Sequence, residues 1–230
     1  WNNVAAVAAV DRGPRLLTLG ADCSYAIAPG DRYFVRGPFE ELDAPGEWYL
    51  DQERGVLYVW PEADGAERPP TRVDVEAARL KTLVEVGPGA AHVTLRGFEL
   101  AYCEGTAVTL RAATNCLVAA CVIRHAGDYH GAGVQVSGGA RNGVVGCDLS
   151  DIGNCGIALS GGDERTLTPA GHYAENNHIT RTGVVYKQGS GVTVSGVGNR
   201  VCRNTLHELP RFGVQFGGQN HRIEGNHIYR

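Results

Sequence analysis

From about residue 93 onward the chain alternates short apolar steps with glycine or polar turns, in a phrase that returns every 22 to 30 residues. One half of the phrase reads VTLRGFEL, LVAACVI, VVGCDLSDI, YAENNHI, RVCRNTLHEL and RIEGNHIYR. Aligned on the residue before the final apolar step, these give Gly97, Cys121, Cys147, Asn177, Asn204 and Asn226, at intervals of 24, 26, 30, 27 and 22. The other half reads GTAVTL, GAGVQVSG, CGIALSGG, GSGVTVSG and FGVQFGG. Each apolar segment is three to five residues long and alternates inward with outward positions. Gly, Asn, Ser or Asp bound it, which signals strands and turns, and no window carries a sustained helical period. Self-similarity at such a period marks a solenoid whose repeats bury a shared core only when stacked. Parallel strands about 4.8 Å apart bring equivalent residues over one another, so Asn177, Asn204 and Asn226 are expected to form a ladder of bonded amides. Cys121 and Cys147 continue it as small fillers. The expected fold is all-β: a right-handed parallel β-helix of about six turns.

Residues 1–75 do not repeat. Trp48–Leu50 and Val56–Trp60 flank a turn ending at Gly55, which predicts a hairpin over 47–60. Trp48 and Trp60 read as packing anchors rather than sugar platforms. PEADGAERPPT, with its paired prolines, reads as a linker. The expected organisation is therefore a β-rich lobe over 1–75, packed on the N-terminal end of a β-helix over 76–230. The chain lacks Met, opens on Trp1 and stops on a repeat without a cap, which reads as a piece of a longer protein.

Composition narrows the function classes. Gly at 32 residues suits a turn-rich fold, and a net charge of −4 with 19 Arg and only Lys81 and Lys187 offers no basic face for nucleic acid. No apolar run approaches a membrane span. The seven cysteines show neither a CxxC nor a zinc spacing, so buried free thiols are expected and no metal is assigned.

A packed tube places its chemistry on an outer face between unequal loops. In GVQV, GIAL, GVTV and GVQF the middle residue points out, giving a column of Thr109, Gln135, Ala158, Thr193 and Gln215. Two long loops, 161–172 and 181–190, flank it; the second carries Tyr186. Glycoside hydrolysis needs two carboxyl groups facing one bond, and the candidate acids are Asp128, Asp151, Asp163 and Glu208. Glu208 stands beside His207, which suits a tuned proton affinity. Asp163 and Arg165 form either an ion pair that shapes their loop, or a catalytic acid with a cation that orients a sugar. Substrate contacts are assigned to His125, His130, Gln135, Arg165, Tyr186, Thr193, His207 and Gln215. His178 and His227 read as surface or turn-packing residues.

The hairpin GEWYLDQERGVLYVWPEADG, the SGGDERTLTP loop and the FGGQNHRIEGNHI turn resemble bacterial parallel β-helix proteins of the pectate-lyase-like superfamily. The similarity is greatest to glycoside hydrolase family 141 and its relatives, and it covers nearly the whole chain. It implies a carbohydrate-active enzyme on fucose- or xylose-containing polysaccharide, secreted or periplasmic because its substrate is a polymer. It also implies acidic residues on turns past the HRIEGNHI step, beyond Arg230. The resemblance requires no cofactor; a lyase or epimerase on the same fold would bring Ca²⁺. A non-catalytic binding or structural solenoid is the third class, and the two long loops count against it.

Overall fold

The computed structural model describes residues 3–62 and 75–230. The chain forms two compact units, Asn3–Glu76 and Ala77–Arg230. Most of the proline-rich stretch expected as a linker lies outside the described residues. Among the described residues there is no α-helix, and no helix long and apolar enough to cross a membrane.

The first unit holds two antiparallel pairs, β1 (Val7–Asp11) with β2 (Leu16–Leu19) and β3 (Trp48–Asp51) with β4 (Val56–Val59). The second pair is the expected hairpin, closed by Asp51, whose Oδ1 accepts the Arg54 N–H at 3.0 Å. Its aromatic anchor is Phe39, edge-on to Tyr49 and Tyr58 at 5.2 Å each. Trp48 and Trp60 are exposed.

The second unit is the parallel β-helix, built from three six-stranded sheets. The first sheet stacks β5 (Val84–Val86), β8 (Val108–Arg111), β11 (Ala132–Ser137), β14 (Cys155–Gly161), β17 (Ser190–Gly196) and β20 (Phe212–Phe216). The second stacks β6 (Thr94–Arg96), β9 (Leu117–Ala119), β12 (Gly143–Val145), β15 (Tyr173–Glu175), β18 (Arg200–Cys202) and β21 (Arg222–Glu224). The third stacks β7 (Glu99–Cys103), β10 (Val122–Ala126), β13 (Asp148–Ile152), β16 (His178–Thr182), β19 (Thr205–His207) and β22 (His227–Tyr229). Alternation aims one apolar residue after another into the tube. Val134, Ile157 and Val192 stack in the first sheet, Val118, Val144 and Val201 in the second, Ile123, Leu149 and Leu206 in the third, all with 1% exposure or less. Each such side chain contributes about 1.5–3 kcal/mol by leaving water.

The expected amide ladder stands at the bend between the second and third sheets. Asn177, Asn204 and Asn226 each accept on Oδ1 the backbone N–H of the residue one turn earlier, Cys147, Asn177 and Asn204, at 2.9–3.0 Å. Their Nδ2 groups donate to the carbonyls of Val144, Ala174 and Val201. The Cys147 and Cys121 thiols make the corresponding contacts to Val118 and Leu95, at 3.7 and 3.8 Å. A thiol thus replaces the amide as donor in the early turns, where it also fills the core. All seven cysteines are free, and burial pushes the Cys147 thiol up to about 11.

A second ladder, absent from the sequence reading, stands at the bend between the first and second sheets. There Cys116, Asn142, His172, Asn199 and His221 stack, each from Asn142 onward accepting the N–H of its predecessor at 2.9–3.2 Å. Amide oxygen and imidazole Nδ1 alternate as acceptors. His172 is fully buried. Its Nδ1 accepts from Asn142, so the proton sits on Nε2, which has no hydrogen-bond partner among the described residues. Burial lowers the His172 pKa below 6.5, with a weaker opposing pull from the Gly138 backbone.

Two predictions follow from these columns. Asn204→Ala strands the Asn177 N–H and the Ala174 carbonyl, and is expected to cost about 2–4 kcal/mol in chemical denaturation. Asn226→Ala, at the less buried end of the ladder, costs less. For His172 the folded pKa is depressed, so the unfolded chain binds the extra proton as pH falls. Stability is full above about pH 6.5 and declines below it. His172→Asn, which keeps a ladder acceptor, should flatten that part of the unfolding midpoint's pH profile.

Candidate functional site

The outward column of the first sheet forms as expected: Gln135 registers with Thr109 and Ala158, Thr193 with Ala158 and Gln215. Its inner flanks are core residues, so these side chains have only the outer face. A cleft of about 330 Å³ lies along the column, at the lower end of the roughly 300–1,000 Å³ usual for small-ligand sites. Gln135, Ala158, Thr193 and Gln215 floor it, and the Ser190 hydroxyl, 2.7 Å from that of Thr193, continues the floor.

One wall comes from the bend between the third and first sheets. His130, Asn154, Tyr186 with Gln188, and Phe212 line it, from four successive turns. These loops brace one another: Tyr186 N–H donates to the Gly153 carbonyl at 2.8 Å, and Gly183 N–H to the Asn154 carbonyl at 2.8 Å. Asn154 Nδ2 donates to the Tyr129 carbonyl at 3.0 Å, and the Tyr129 ring lies 4.5 Å from that of Tyr186. A Cβ on Gly153 would meet the Gly127 carbonyl oxygen at 2.2 Å, so only glycine allows this approach. Arg211 sits over the Phe212 ring and donates to Gln188 Oε1 at 3.0 Å. The wall is therefore aromatic faces and neutral amides held on a rigid frame.

Five of the assigned contacts, His130, Gln135, Tyr186, Thr193 and Gln215, line this one cleft. Cys155, Asn154, Gln188 and Ser190 join them unforeseen; their signal was position, at or just before the starts of strands whose middle residues form the column. Burial pushes the Cys155 thiol up to about 11, so it stays protonated at neutral pH and is no nucleophile.

The other assigned residues lie elsewhere. The 161–172 loop leaves the opposite edge of the first sheet, and none of its residues lines the cleft. There Asp163 Oδ1 accepts the N–H groups of Arg165 and Thr166 at 2.8 and 3.3 Å, while Asp163 and Thr168 pair antiparallel. The turn is shaped by the Arg165 backbone rather than its guanidinium, and those N–H groups hold the Asp163 carboxyl below its ordinary range. Asp128 likewise caps its own turn, accepting the N–H groups of His130 and Gly131 at 2.9 and 3.0 Å.

Tyr102, His125, Asp151, Arg181 and Glu208 occupy one repeated corner at or just beyond the ends of third-sheet strands. All five adopt left-handed backbone, with φ between 47° and 60°. Because the conformation recurs at every turn, it belongs to the corner and marks no single strained site. His125 stacks on Tyr102 at 5.2 Å. Arg181 forks onto Asp151 with bonds of 2.7 and 2.8 Å, and its Nη1 lies 3.8 Å from Glu208 Oε2. The Arg181 guanidinium holds the Asp151 carboxyl below its ordinary range, burial opposing it. The structure thus brings Asp151 and Glu208 together around a cation, while Asp128 and Asp163 stay in their separate turns. His207 lies next to this corner on β19, 3.8 Å from Glu208 Oε1.

Comparison with known protein families, curated proteins and solved structures found no match. Arg181→Gln is expected to move the Asp151 titration upward, toward the ordinary carboxylate range near 3.8. Carboxyl-carbon NMR would read the shift, and an unmoved Asp151 would mean that the forked pair does not form in solution.

Proposed function

We propose that the chain is the glycan-gripping part of a carbohydrate-active β-helix protein, and that its cleft takes an uncharged oligosaccharide in extended form. One observation carries this reading: the floor sets the Gln135 and Gln215 amides at either end of the Thr193 and Ser190 hydroxyls, beside a wall bearing Tyr186 and Phe212. Amides and hydroxyls exchange hydrogen bonds with sugar hydroxyls, and aromatic faces cover the apolar faces of pyranose rings. With parallel strands about 4.8 Å apart, the two amides stand three strands, roughly 14 Å, from each other along the sugar chain, with Thr193 between them.

A polyuronate fits less well. Lyase or epimerase chemistry wants a cation beside the uronate carboxylate, and neither Arg nor Lys is among the lining residues. The resemblance to pectate-lyase-like proteins, and within them to glycoside hydrolase family 141, supports a polysaccharide hydrolase. Hydrolysis demands paired carboxyl groups facing one bond. The lining contains no carboxylate, so the cleft supports binding and orientation further than it supports bond cleavage, and Asp151 and Glu208 are the acids best placed to act as a pair.

Binding should therefore favour neutral xylo- or fuco-oligosaccharides over oligogalacturonides in calorimetry. Tyr186→Ala and Gln215→Ala should each weaken binding about tenfold, or roughly 1.4 kcal/mol. Asp163→Ala, in the opposite loop, should leave it unchanged. Equal affinity in all three variants would remove the cleft as the binding site.

A further inference from the structure

We propose that the cleft selects a 2-acetamido sugar, an N-acetylhexosamine residue held midway along the groove, which rests on the glycan reading above. Two wall amides whose direction is fixed by the frame carry this specificity. Asn154 Nδ2 donates to the Tyr129 carbonyl at 3.0 Å, one turn earlier. Gln188 Oε1 accepts from Arg211 Nη1 at 3.0 Å, one turn later. A carbonyl only accepts and a guanidinium only donates, so neither amide turns over without losing its partner.

Each amide therefore has one end committed to the frame and one end left for a ligand. Asn154 keeps its Oδ1 acceptor, and Gln188 keeps its Nε2 donors. The two belong to adjacent turns: Gly189 lies so close to Asn154 that a Cβ there would meet the Asn154 carbonyl oxygen at 2.1 Å. Adjacent parallel strands are about 4.8 Å apart. The Tyr129 anchor draws the Asn154 amide back toward the earlier turn, and the Arg211 anchor draws the Gln188 amide on toward the later one. The gap between the two amides is thereby opened beyond one strand spacing, with an acceptor on one side and a donor on the other.

A secondary amide suits such a gap, because its N–H and C=O project from opposite edges, as they do in a strand between two neighbours. The acetamido N–H donates to Asn154 Oδ1, and its carbonyl accepts from Gln188 Nε2. A hydroxyl in the same place carries a single oxygen on a short arm and reaches only one of the two. Tyr186, two residues before Gln188, also lines the cleft and offers its ring to the acetyl methyl. Ala158 is the smallest side chain of the outward column and leaves room for the sugar ring. The lining holds no carboxylate to pair with a free amino sugar and no Arg or Lys to pair with a uronate.

The test is calorimetry of the 230-residue chain with a matched pair, triacetylchitotriose and cellotriose, which differ only in the substituent at C2 of each ring. The acetylated trimer is expected to bind about tenfold tighter. Gln188→Glu keeps an oxygen for Arg211 but turns the donor end into an acceptor, and should bring the ratio of the two affinities to about one. Arg211→Leu frees the Gln188 amide to rotate and should lower the ratio about threefold. A general loss of fold or affinity leaves that ratio unmoved, so it reads the direction of the amide alone. Equal affinity for the two trimers in the unmutated chain, or an unchanged ratio in Gln188→Glu, would overturn the acetamido preference. Xylotriose binding without the acetylated trimer would overturn it too, with the glycan reading intact, whereas no binding of any neutral trimer would overturn both.

Discussion

Every turn of this β-helix must reverse direction inside a protein, where an unpaired backbone N–H costs about as much as a lost hydrogen bond. The two ladders meet that demand. Where a ladder position holds Asn or His, its side chain takes the N–H of the residue one turn earlier, and amide donors such as those of Asn204 and Asn142 return to carbonyls of that earlier turn. The bends become as well bonded as the strands, and stacking is forced into register. Cys121–Cys147–Asn177–Asn204–Asn226 and Cys116–Asn142–His172–Asn199–His221 share the intervals 26, 30, 27 and 22, always five residues apart. The short second-sheet strand between them therefore has constant length, and insertions fall in the bends that flank the first sheet.

This division of labour explains where the candidate chemistry lies. Residues of the second sheet are clamped between ladders, and their outward side chains form mutual pairs: Arg203 and Arg200 with Glu175, Arg222 with Glu224. The first sheet is bordered by the two bends that vary in length, so it alone has such loops on both sides. Only the bend entering it folds over the column, because its loops stack on one another through Gly153, Gly183 and Tyr186. The 161–172 excursion instead closes on itself through Asp163 and Thr168, which spends its polar groups locally.

The third sheet shows how the same geometry concentrates titratable groups. Adjacent strands place side chains of successive turns within contact, so residues 27 to 30 apart in sequence meet: Asp148 and His178, Asp151 and Arg181, Thr180 and His207. A mild overall charge thus coexists with locally dense clusters.

The sequence by itself determined the class of fold, the two-part organisation of the repeat, the Asn177–Asn204–Asn226 ladder and the outward column from Thr109 to Gln215. Periodicity carries all of these, because stacking in register makes sequence spacing equivalent to spatial adjacency. It also held the second ladder in its repeated intervals, but an alternation of Asn with His hides an identity that is functional rather than chemical: both supply an acceptor at one point. Only the tertiary structure decided which long loop walls the cleft, that Asp163 and Asp128 cap their own turns, and that Arg181 joins Asp151 to Glu208. Those outcomes depend on side-chain direction at left-handed corners and on loops folding toward or away from a sheet. Spacing along the chain does not encode either one.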